Sequence, residues 1–349
     1  MLRLRDLRKR AHSVRGRSDS DRGSRSARAE VTPELVTCGY RLFLGREPEN
    51  QQVVEEKVSR IATVPDLMRE FLSSAEFKEK KSTDSQHSLC GDEPPMSIEE
   101  VDAAEDLSRI LDHIQRTWQH LGETEPHWSV ITSERFHQSR IQETKDEFYN
   151  SGRQHVELLF QTMERNGLDH TAFRSCLEYG CGLGRITRWL AERFESVYGY
   201  DISRAHLQSA ENHLAECGVR NVTLRHIRNV EDIFHLQEAD LICSLIVLQH
   251  NPPPVIRMIV REFLRVLKPG GVAFFQVPTY RIGYSFTREG YLNNEAADHK
   301  MMEMHVLPQR VIFEIAAQEG GQVIEVLENG FTGSRFKELS NSFLIQKRA

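Results

Sequence analysis

The chain has 349 residues, of which 39% are hydrophobic and 28% charged, a composition typical of a globular protein rather than a fibrous or disordered one. Its formal net charge of −6 argues against a chain built to coat nucleic acid, so we do not expect a nucleic-acid partner. No apolar run approaches the roughly 20 residues of a membrane-spanning helix, and we predict no membrane span.

Residues 1–30 form a basic segment in which arginines stand among serines and large apolar side chains are almost absent after Leu7. Such a segment cannot bury enough apolar surface to offset its loss of entropy on ordering, so we predict a disordered tail. Contact with an anionic surface and an organelle transit peptide are the alternatives. Because no apolar segment follows the basic start, we expect no secretory signal peptide.

Six cysteines are present, and none stands in C-x-x-C or in a spacing typical of zinc ligands. We therefore predict no metal site. Cys176 and Cys243 lie in apolar strand patterns, where cysteine serves as a small core residue. This use of cysteine favours a reducing, cytoplasmic location.

Residues 31–82 are predicted to form a small all-helical domain. Thr32 is a good N-cap and Pro33 suits the first turn of a helix. The stretches YRLFLGREPEN and FLSSAEF resemble a helical domain of unknown function that is related to phycobilisome-linker-like modules and is often fused to bacterial glycan-modifying enzymes. The resemblance implies a docking module for a protein partner, not a catalytic unit.

Residues 83–98 are polar and contain glycine and proline, as in a linker. A long helical pattern then runs from Ile98 to Leu121, and another runs from Val156 to Met163. We predict that residues 99–170 form a helical extension of the domain that follows.

Between these two helical patterns lies the segment containing His127 and Trp128.

The stretch from Cys176 to Arg185 is the strongest motif in the chain. An apolar run ends in Glu178, and Gly180, Gly182 and Gly184 alternate after it, followed by apolar residues at helical spacing. This is the pattern of a strand, a tight turn and a helix start. Glycine allows positive φ and close approach of a ligand, so we predict a nucleotide-type pocket at the end of the first parallel strand.

From residue 171 to residue 349 strands and helices alternate, which predicts a doubly wound, mostly parallel sheet. The second strand, Ser196 to Tyr200, ends at Asp201, where a carboxylate can accept hydrogen bonds from both ribose hydroxyls. The alternative is that Asp201 only places a negative charge at the N-terminus of the next helix, for which Ser203 is the predicted N-cap. NAD enzymes have a carboxylate at the same position, so Asp201 does not decide which cofactor binds.

The remaining predicted elements follow in order: strands at residues 222–227, 239–245, 272–277, 323–327 and 341–346, and helices at residues 204–217, 255–267 and 308–318. The segment 279–305 is polar, aromatic and too long for a simple turn. Its predicted position is the carboxyl end of the sheet, where ligands bind.

Three stretches together resemble class I S-adenosylmethionine (SAM) methyltransferases of the bacterial glycan- or small-molecule-modifying type. They are E-x-G-x-G-x-G at Glu178–Gly184, DLICSLIVLQHNPPP and LRVLKPGGVAFFQVP, and the resemblance covers about residues 105–349. It implies a Rossmann-like sheet with an antiparallel last strand and SAM as cofactor. It also implies that the helical extension packs over the cofactor mouth as a lid, with His127 and Trp128 lining an acceptor site. The alternative is that Trp128 packs the lid onto the core. Dinucleotide oxidoreductases show G-x-G-x-x-G instead, and the third glycine comes one residue early here.

The resemblance also implies the cofactor contacts. Glu178 would lie near the methionine amino end, and Asn229 stands where the family usually has an acidic residue at the adenine. The implied cofactor-binding residues are Glu178, Gly180, Cys181, Gly182, Gly184, Asp201, Ile202, Asn229, Val230 and Leu245.

Methyl transfer from a sulfonium needs donor and acceptor held close and in line, and a hydroxyl acceptor also needs a base. His250, at the pocket edge after the fourth strand, is the first candidate and His305 the second. A structural hydrogen bond is the alternative for His250. The alternative to a metal-free site is a metal site formed by Asp298, His299 and Glu303.

We therefore predict a SAM-dependent methyltransferase that acts on a hydroxyl of a sugar, a glycan or a related small metabolite. The choice of acceptor depends on the association of the helical domain with glycan-modifying enzymes. The alternatives are an NAD-type Rossmann oxidoreductase and a catalytically silent docking protein that keeps the methyltransferase fold.

Overall fold

The computed structural model describes residues 31–77, 93–293, 302–332 and 338–348. The predicted tail at residues 1–30 and most of the predicted linker lie outside these ranges. The described residues form two compact units, divided between residues 86 and 87. No helix in the described ranges is both long enough and apolar enough to cross a membrane.

The described part of the first unit includes the helices α1 (Pro33–Gly39), α2 (Gln51–Arg60) and α3 (Val64–Ser73). Thr32 caps α1 as predicted, because its hydroxyl accepts a hydrogen bond from the amide of Leu35. A π-helical turn, Tyr40–Leu44, extends α1 and ends at Gly45 with φ +59°. Val36, Tyr40, Leu44, Leu67 and Phe71 are among the buried residues of its small core.

The second unit is built on a seven-stranded sheet. Its strands are β2 (Ser175–Tyr179), β3 (Ser196–Asp201), β4 (Val222–His226), β5 (Ala239–Ser244), β6 (Leu267–Arg281), β8 (Gly321–Glu328) and β9 (Glu338–Lys347). The strand order is β4-β3-β2-β5-β6-β9-β8. All neighbouring pairs are parallel except those of β9, which runs antiparallel to both β6 and β8. The predicted Rossmann-like sheet with an antiparallel last strand is confirmed.

A separate two-stranded pair joins β1 (Ser97–Ile98) to β7 (Ser285–Phe286). The helices of this unit are α4 (Ala104–Thr124), α5 (Pro126–Val130), α6 (Ile141–Arg165), α7 (Thr187–Ala191), α8 (Arg204–Glu216), α9 (Val230–Ile233), α10 (Pro253–Val266), α11 (Arg288–Asn293) and α12 (Gln309–Gln318).

Helices cover both faces of the sheet. Cys176 on β2 contributes to a core with α6 and α7, while its neighbour Leu177 contributes to a core with α4, α10 and α12. Successive side chains of a strand point to opposite faces, so one short apolar run supplies both cores. The carboxyl ends of β2, β3 and β5 are thereby fixed side by side.

Three predicted boundaries are wrong. Residue Ile98, the predicted start of a long helix, belongs to β1, and the helix α4 starts at Ala104. The strand predicted at residues 272–277 is longer, because β6 begins at Leu267, where it already pairs with β5. The predicted loop 279–305 begins within β6 and contains β7 and α11. Periodicity alone does not detect pairing with a distant strand.

Helix α6 packs closely on the turn after β2. A Cβ atom at Gly152 would overlap the backbone carbonyl oxygen of Arg185. We expect Gly152→Ala to lower the free energy of unfolding by about 1–3 kcal/mol through overpacking, although alanine is by itself the better helix former. Urea unfolding of the whole chain measures the change.

The control for this variant is Gln154→Ala, an exposed position on the same helix. It should change the free energy of unfolding by less than about 0.5 kcal/mol. A Gly152→Ala protein as stable as the wild type would show that α6 does not pack on the turn in this way.

Candidate functional site

The turn after β2 requires its glycines. Gly180, Gly182 and Gly184 have φ values of +75°, +53° and +77°, in the left-handed region that side chains with a Cβ rarely adopt. Space is also lacking, because a Cβ at Gly180 would overlap the side chain of Val247. The alternating glycines therefore follow from both the turn geometry and the close packing around it.

A cleft opens beside this turn, at the carboxyl ends of β2, β3 and β5. It encloses about 770 Å³ of space, which includes the open solvent at its mouth. Its lining comprises Ile114, Trp118, Ser129, Val130, Glu178, Tyr179, Gly180, Cys181, Gly182, Arg185, Ile186, Asp201, Ile202, His206, Leu245, Ile246, Val247 and Asn251.

Most predicted cofactor residues meet at this cleft. Glu178, Gly180, Cys181, Gly182, Asp201, Ile202 and Leu245 all line it. Gly184, Asn229 and Val230 do not belong to its lining. Asn229 is exposed and caps α9, since its side-chain oxygen accepts from the amide of Asp232 at 3.0 Å.

Glu178 provides a buried carboxyl group at the floor of the cleft. Glu178 is only 3% exposed, and the hydroxyl of Thr187 donates a hydrogen bond to its Oε2 at 2.5 Å. Burial raises the pKa of Glu178 to about 8, although the hydrogen bond from Thr187 and the charge of Arg185 oppose the rise. The group is therefore mostly protonated at neutral pH unless a cation comes next to it.

Asp201 ties the glycine turn to the following helix. Its Oδ2 accepts from the amide of Gly182 at 2.8 Å, and its Oδ1 accepts from the amide of Ser203 at 2.8 Å. Ser203 is the N-cap of α8, as predicted, and accepts from the amide of His206. Each carboxylate oxygen has further lone pairs, so Asp201 can also accept hydrogen bonds from a ligand in the cleft.

The short helix α5 covers part of the cleft. A Cβ at Gly182 would lie 3.1 Å from Cγ2 of Val130, and the hydroxyl of Ser129 lies 2.9 Å from Nε2 of His206. The lining includes Ser129 and Val130 but neither His127 nor Trp128. Trp128 instead stacks on His137, with ring centroids 5.0 Å apart.

The loop after β5 contains a strained residue. Ile246 has φ +61°, which is costly for a β-branched side chain, and it lines the cleft. Its amide donates to Oε1 of Gln276 at 3.0 Å. The fully buried Gln276 in turn donates from Nε2 to Gln249 at 3.0 Å and to Ser340 at 2.9 Å. A buried network thus holds the strained backbone in place.

His250 belongs to the same network and is not part of the cleft lining. Its Nδ1 donates to the carbonyl oxygen of Glu303 at 2.8 Å, which leaves Nε2 to accept from the amide of Gln249 at 3.1 Å. Burial lowers the pKa of His250 to about 4, so it is neutral at physiological pH. Its ring centroid lies 5.1 Å from that of Trp118, which does line the cleft.

His305 lies in a neighbouring cluster. Its Nε2 donates to Glu303 Oε2 at 3.1 Å, and its Nδ1 accepts from the hydroxyl of Tyr284 at 2.8 Å. Within the described ranges no three His, Cys, Asp or Glu side chains are grouped as metal ligands would be. Asp298 and His299, named in the metal alternative, lie outside the described residues.

Several lining residues were missed by the sequence analysis. Trp118 and Ser129 come from the helical extension, and Arg185, His206 and Asn251 follow motif residues along the chain. Only Arg185 carried a usable signal, since it directly follows the last glycine of the turn.

Comparison with known proteins matches this part of the chain to methyltransferases. Residues 176–271 match a family model described as "Methyltransferase domain". A ubiquinone biosynthesis O-methyltransferase of Pseudomonas fluorescens is 36% identical over 113 residues, which are 32% of this chain and 46% of the relative. One of Klebsiella pneumoniae is 29% identical over 102 residues, 29% of this chain and 41% of the relative. The chain thus spans less than half the length of these relatives.

Solved structures with a similar fold include two methyltransferases. Magnesium protoporphyrin IX methyltransferase from Synechocystis with bound SAM has 17% identity and a TM-score of 0.46, over 68% of this chain and 97% of that chain. An N-methyltransferase from Bradyrhizobium japonicum in complex with S-adenosyl-L-homocysteine has 14% identity and a TM-score of 0.43, over 68% of this chain and 100% of that chain.

The raised pKa of Glu178 makes stability depend on pH. Its pKa is about 8 in the folded chain and about 4.5 when unfolded, so the unfolded chain loses this proton first as the pH rises. The contribution of Glu178 to stability therefore falls between about pH 4.5 and pH 8. Without ligand, we expect Glu178→Gln to be more stable than wild type by about 1–3 kcal/mol at pH 8.

This advantage should shrink toward pH 5, where the wild-type carboxyl is protonated in the folded chain. Urea unfolding of both proteins at pH 5, 6.5 and 8 gives the difference. A difference that does not change with pH would contradict the assignment of a buried neutral carboxyl group.

Proposed function

We propose that this protein is a SAM-dependent methyltransferase whose cofactor binds in the cleft beside the glycine turn. The main supporting observation is that Glu178 and Asp201 line the same cleft, and that the three glycines between them all have positive φ. Asp201 would accept hydrogen bonds from the ribose hydroxyls. Glu178, ionised by the contact, would face the ammonium group of the methionine part. The match of residues 176–271 to a methyltransferase domain supports the same cofactor.

The same residues disfavour a dinucleotide. Glu178 lines the cleft beside the turn, and it would repel a pyrophosphate or would have to stay protonated next to it, whereas Asp201 suits the ribose of either cofactor. The helix after the turn, α7, has only five residues and starts at Thr187, so it offers little of the dipole on which dinucleotide sites depend. An NAD-type oxidoreductase is therefore the weaker reading of this cleft.

Bound SAM supplies an activated methyl group on a cationic sulfur, so no acid is needed for the leaving group. The task of the chain is to hold the donor and exclude water while the acceptor approaches in line. Val130 and Ser129 from the helical extension and Ile246 from the loop after β5 give the cleft walls for this.

For the acceptor, we propose a hydroxyl of a small molecule, with a sugar or glycan as the specific form. The names of the relatives describe O-methyltransferases, which supports an oxygen acceptor. Trp118, half-buried in the cleft lining, offers a flat apolar surface for a ring. The sugar or glycan is supported only by the resemblance of residues 31–82 to modules fused to glycan-modifying enzymes.

The small helical unit is proposed to dock a protein partner. Its exposed large apolar side chains include Leu42, which is 75% exposed, Met68 and Leu72. A cytoplasmic location is proposed from the use of cysteine, and the five cysteines in the described ranges are all free.

The cofactor is tested by calorimetric titration of the whole protein with SAM, S-adenosylhomocysteine and NAD. We expect micromolar or tighter binding of the first two and none of NAD. Binding of NAD alone would favour the oxidoreductase. Binding of SAM without methyl transfer to any acceptor in a tritium-labelled screen of sugars, glycans and phenols would favour the silent docking protein.

The ribose contact is tested by Asp201→Ala. Losing hydrogen bonds to a charged group should weaken SAM binding by about 1.5–3 kcal/mol. The control is Asp232→Ala, because Asp232 also accepts from a backbone amide, that of Arg228, but lies outside the cleft lining. Unchanged SAM affinity in a folded Asp201→Ala protein, measured by calorimetry, would remove Asp201 from the cofactor site.

The base is proposed to be His250, with His305 as the second candidate. Because Nε2 of His250 is engaged by Gln249, catalysis by His250 requires that this amide turn away. We expect His250→Gln to keep SAM affinity within about 2-fold and to lower turnover by about 10²-fold or more. The turnover of His305→Gln is measured for comparison, with the acceptor found in the screen. Wild-type turnover of the His250 variant would leave this histidine a structural role only.

A further inference from the structure

Arg185 is a buried cation at the cleft without a counterion. The residue is only 3% exposed and belongs to the cleft lining. Its Nη1 donates to the hydroxyl of Ser151 at 3.1 Å and to Nδ1 of His155 at 3.2 Å, while Nε has no hydrogen-bond partner in the described chain. These two contacts are its only described polar contacts, and neither partner is a carboxylate.

Both partners of Nη1 are neutral. Nδ1 of His155 also lies 3.1 Å from the carbonyl oxygen of Ser151, and it accepts from Arg185 only in the tautomer whose ring proton is on Nε2. Burial and the charge of Arg185 lower the pKa of His155 to about 4, so this imidazole carries no charge at neutral pH. Burial lowers the pKa of Arg185 only to about 10, so the guanidinium keeps its charge. A buried charge without a partner of opposite sign is costly, and native chains seldom keep one without a use.

Glu178 compensates this charge only in part, because no hydrogen bond joins the two side chains in the described chain. It attracts Arg185 at longer range, but its own burial keeps it mostly protonated at neutral pH. The cleft therefore holds a fixed cation and a carboxyl group that ionises only when a cation arrives. This pair is complementary to an α-amino acid, which carries a carboxylate and an ammonium on one carbon atom.

We propose that Arg185 binds the α-carboxylate of the methionine part of the cofactor, while Glu178 faces the ammonium on the same carbon. The assignment rests on the proposed function, since the ligand is SAM. Ser151 and His155 act as positioning residues, because they fix the plane of the guanidinium through Nη1 and leave its other donors for the ligand.

A purely structural role is the competing explanation. The backbone of Arg185 packs against Gly152, and its side chain bridges to α6 through Ser151 and His155. In that case a substitution would disturb the whole cleft, and every ligand that binds there would lose affinity to the same degree.

The two explanations are separated by three probes titrated against the whole protein by calorimetry. SAM carries the carboxylate, decarboxylated SAM lacks only that group, and 5′-methylthioadenosine lacks the entire amino acid part. We expect wild type to prefer SAM to decarboxylated SAM by about 10-fold or more, as expected for a hydrogen-bonded ion pair.

In Arg185→Gln this preference should vanish, with the affinities for decarboxylated SAM and methylthioadenosine changed by less than about 2-fold. Arg185→Lys, which keeps the charge but not the planar fork, should retain part of the preference. Ser151→Ala keeps Arg185 itself and should reduce the preference by a smaller factor. Arg188→Gln is the charge-matched control, since Arg188 lies over the Trp189 ring outside the cleft lining, and it should behave as wild type.

Equal losses for all three probes in the Arg185 variants would overturn the proposal and support the structural role. Equal affinity of the wild type for SAM and decarboxylated SAM would overturn it as well, while leaving the proposed function standing. Failure of the wild type to bind any of the three probes would instead reject the proposed function, and the inference with it.

Discussion

Everything at this site depends on how closely the turn after β2 is packed. Gly180 lies against Val247, Gly182 lies against Val130, and the carbonyl of Arg185 lies against Gly152. Three separate parts of the chain therefore pack closely on one turn, and at Gly180 and Gly152 an added Cβ atom would overlap its neighbour. Because backbone groups of the turn are surrounded in this way, its amides and the carboxyl groups beside it are held in fixed positions. A rigid scaffold of this kind is what allows a cleft to select a ligand by shape.

A buried hydrogen-bond network fixes the opposite wall of the cleft. The strained Ile246 is held by Gln276, and the network continues through Gln249 and His250 to the carbonyl of Glu303. Strain of this kind persists only where the surroundings over-determine the conformation. The network therefore couples the cleft wall to the segment that contains His305. Hydrogen bonds between buried side chains of this kind tolerate little rearrangement.

The sequence predicted correctly those features that depend on the spacing of neighbouring residues. The glycines, Glu178, Asp201 and the order of strands and helices follow from patterns a few residues long, and these predictions agree with the sheet and with the cleft lining. The contributions of Trp118 and Ser129 depend on how a distant helical extension lies on the domain, which no local pattern contains. Arg185 was missed because a charged residue in a sequence is by default an exposed one. Asn229 was assigned to the cofactor by motif position, yet it serves as a helix cap.

The electrostatics of the empty cleft connect its stability with its selectivity. Glu178 is stable there only as a neutral acid, and Arg185 is held without an anion. Each arrangement costs free energy in the absence of ligand, since charge and burial oppose one another. A ligand with one positive and one negative group relieves both costs together, whereas an anion such as pyrophosphate relieves only one and worsens the other. On the proposed assignment, discrimination between these ligands arises from the uncompensated groups of the unliganded cleft, not from contacts that would hold any nucleotide equally well.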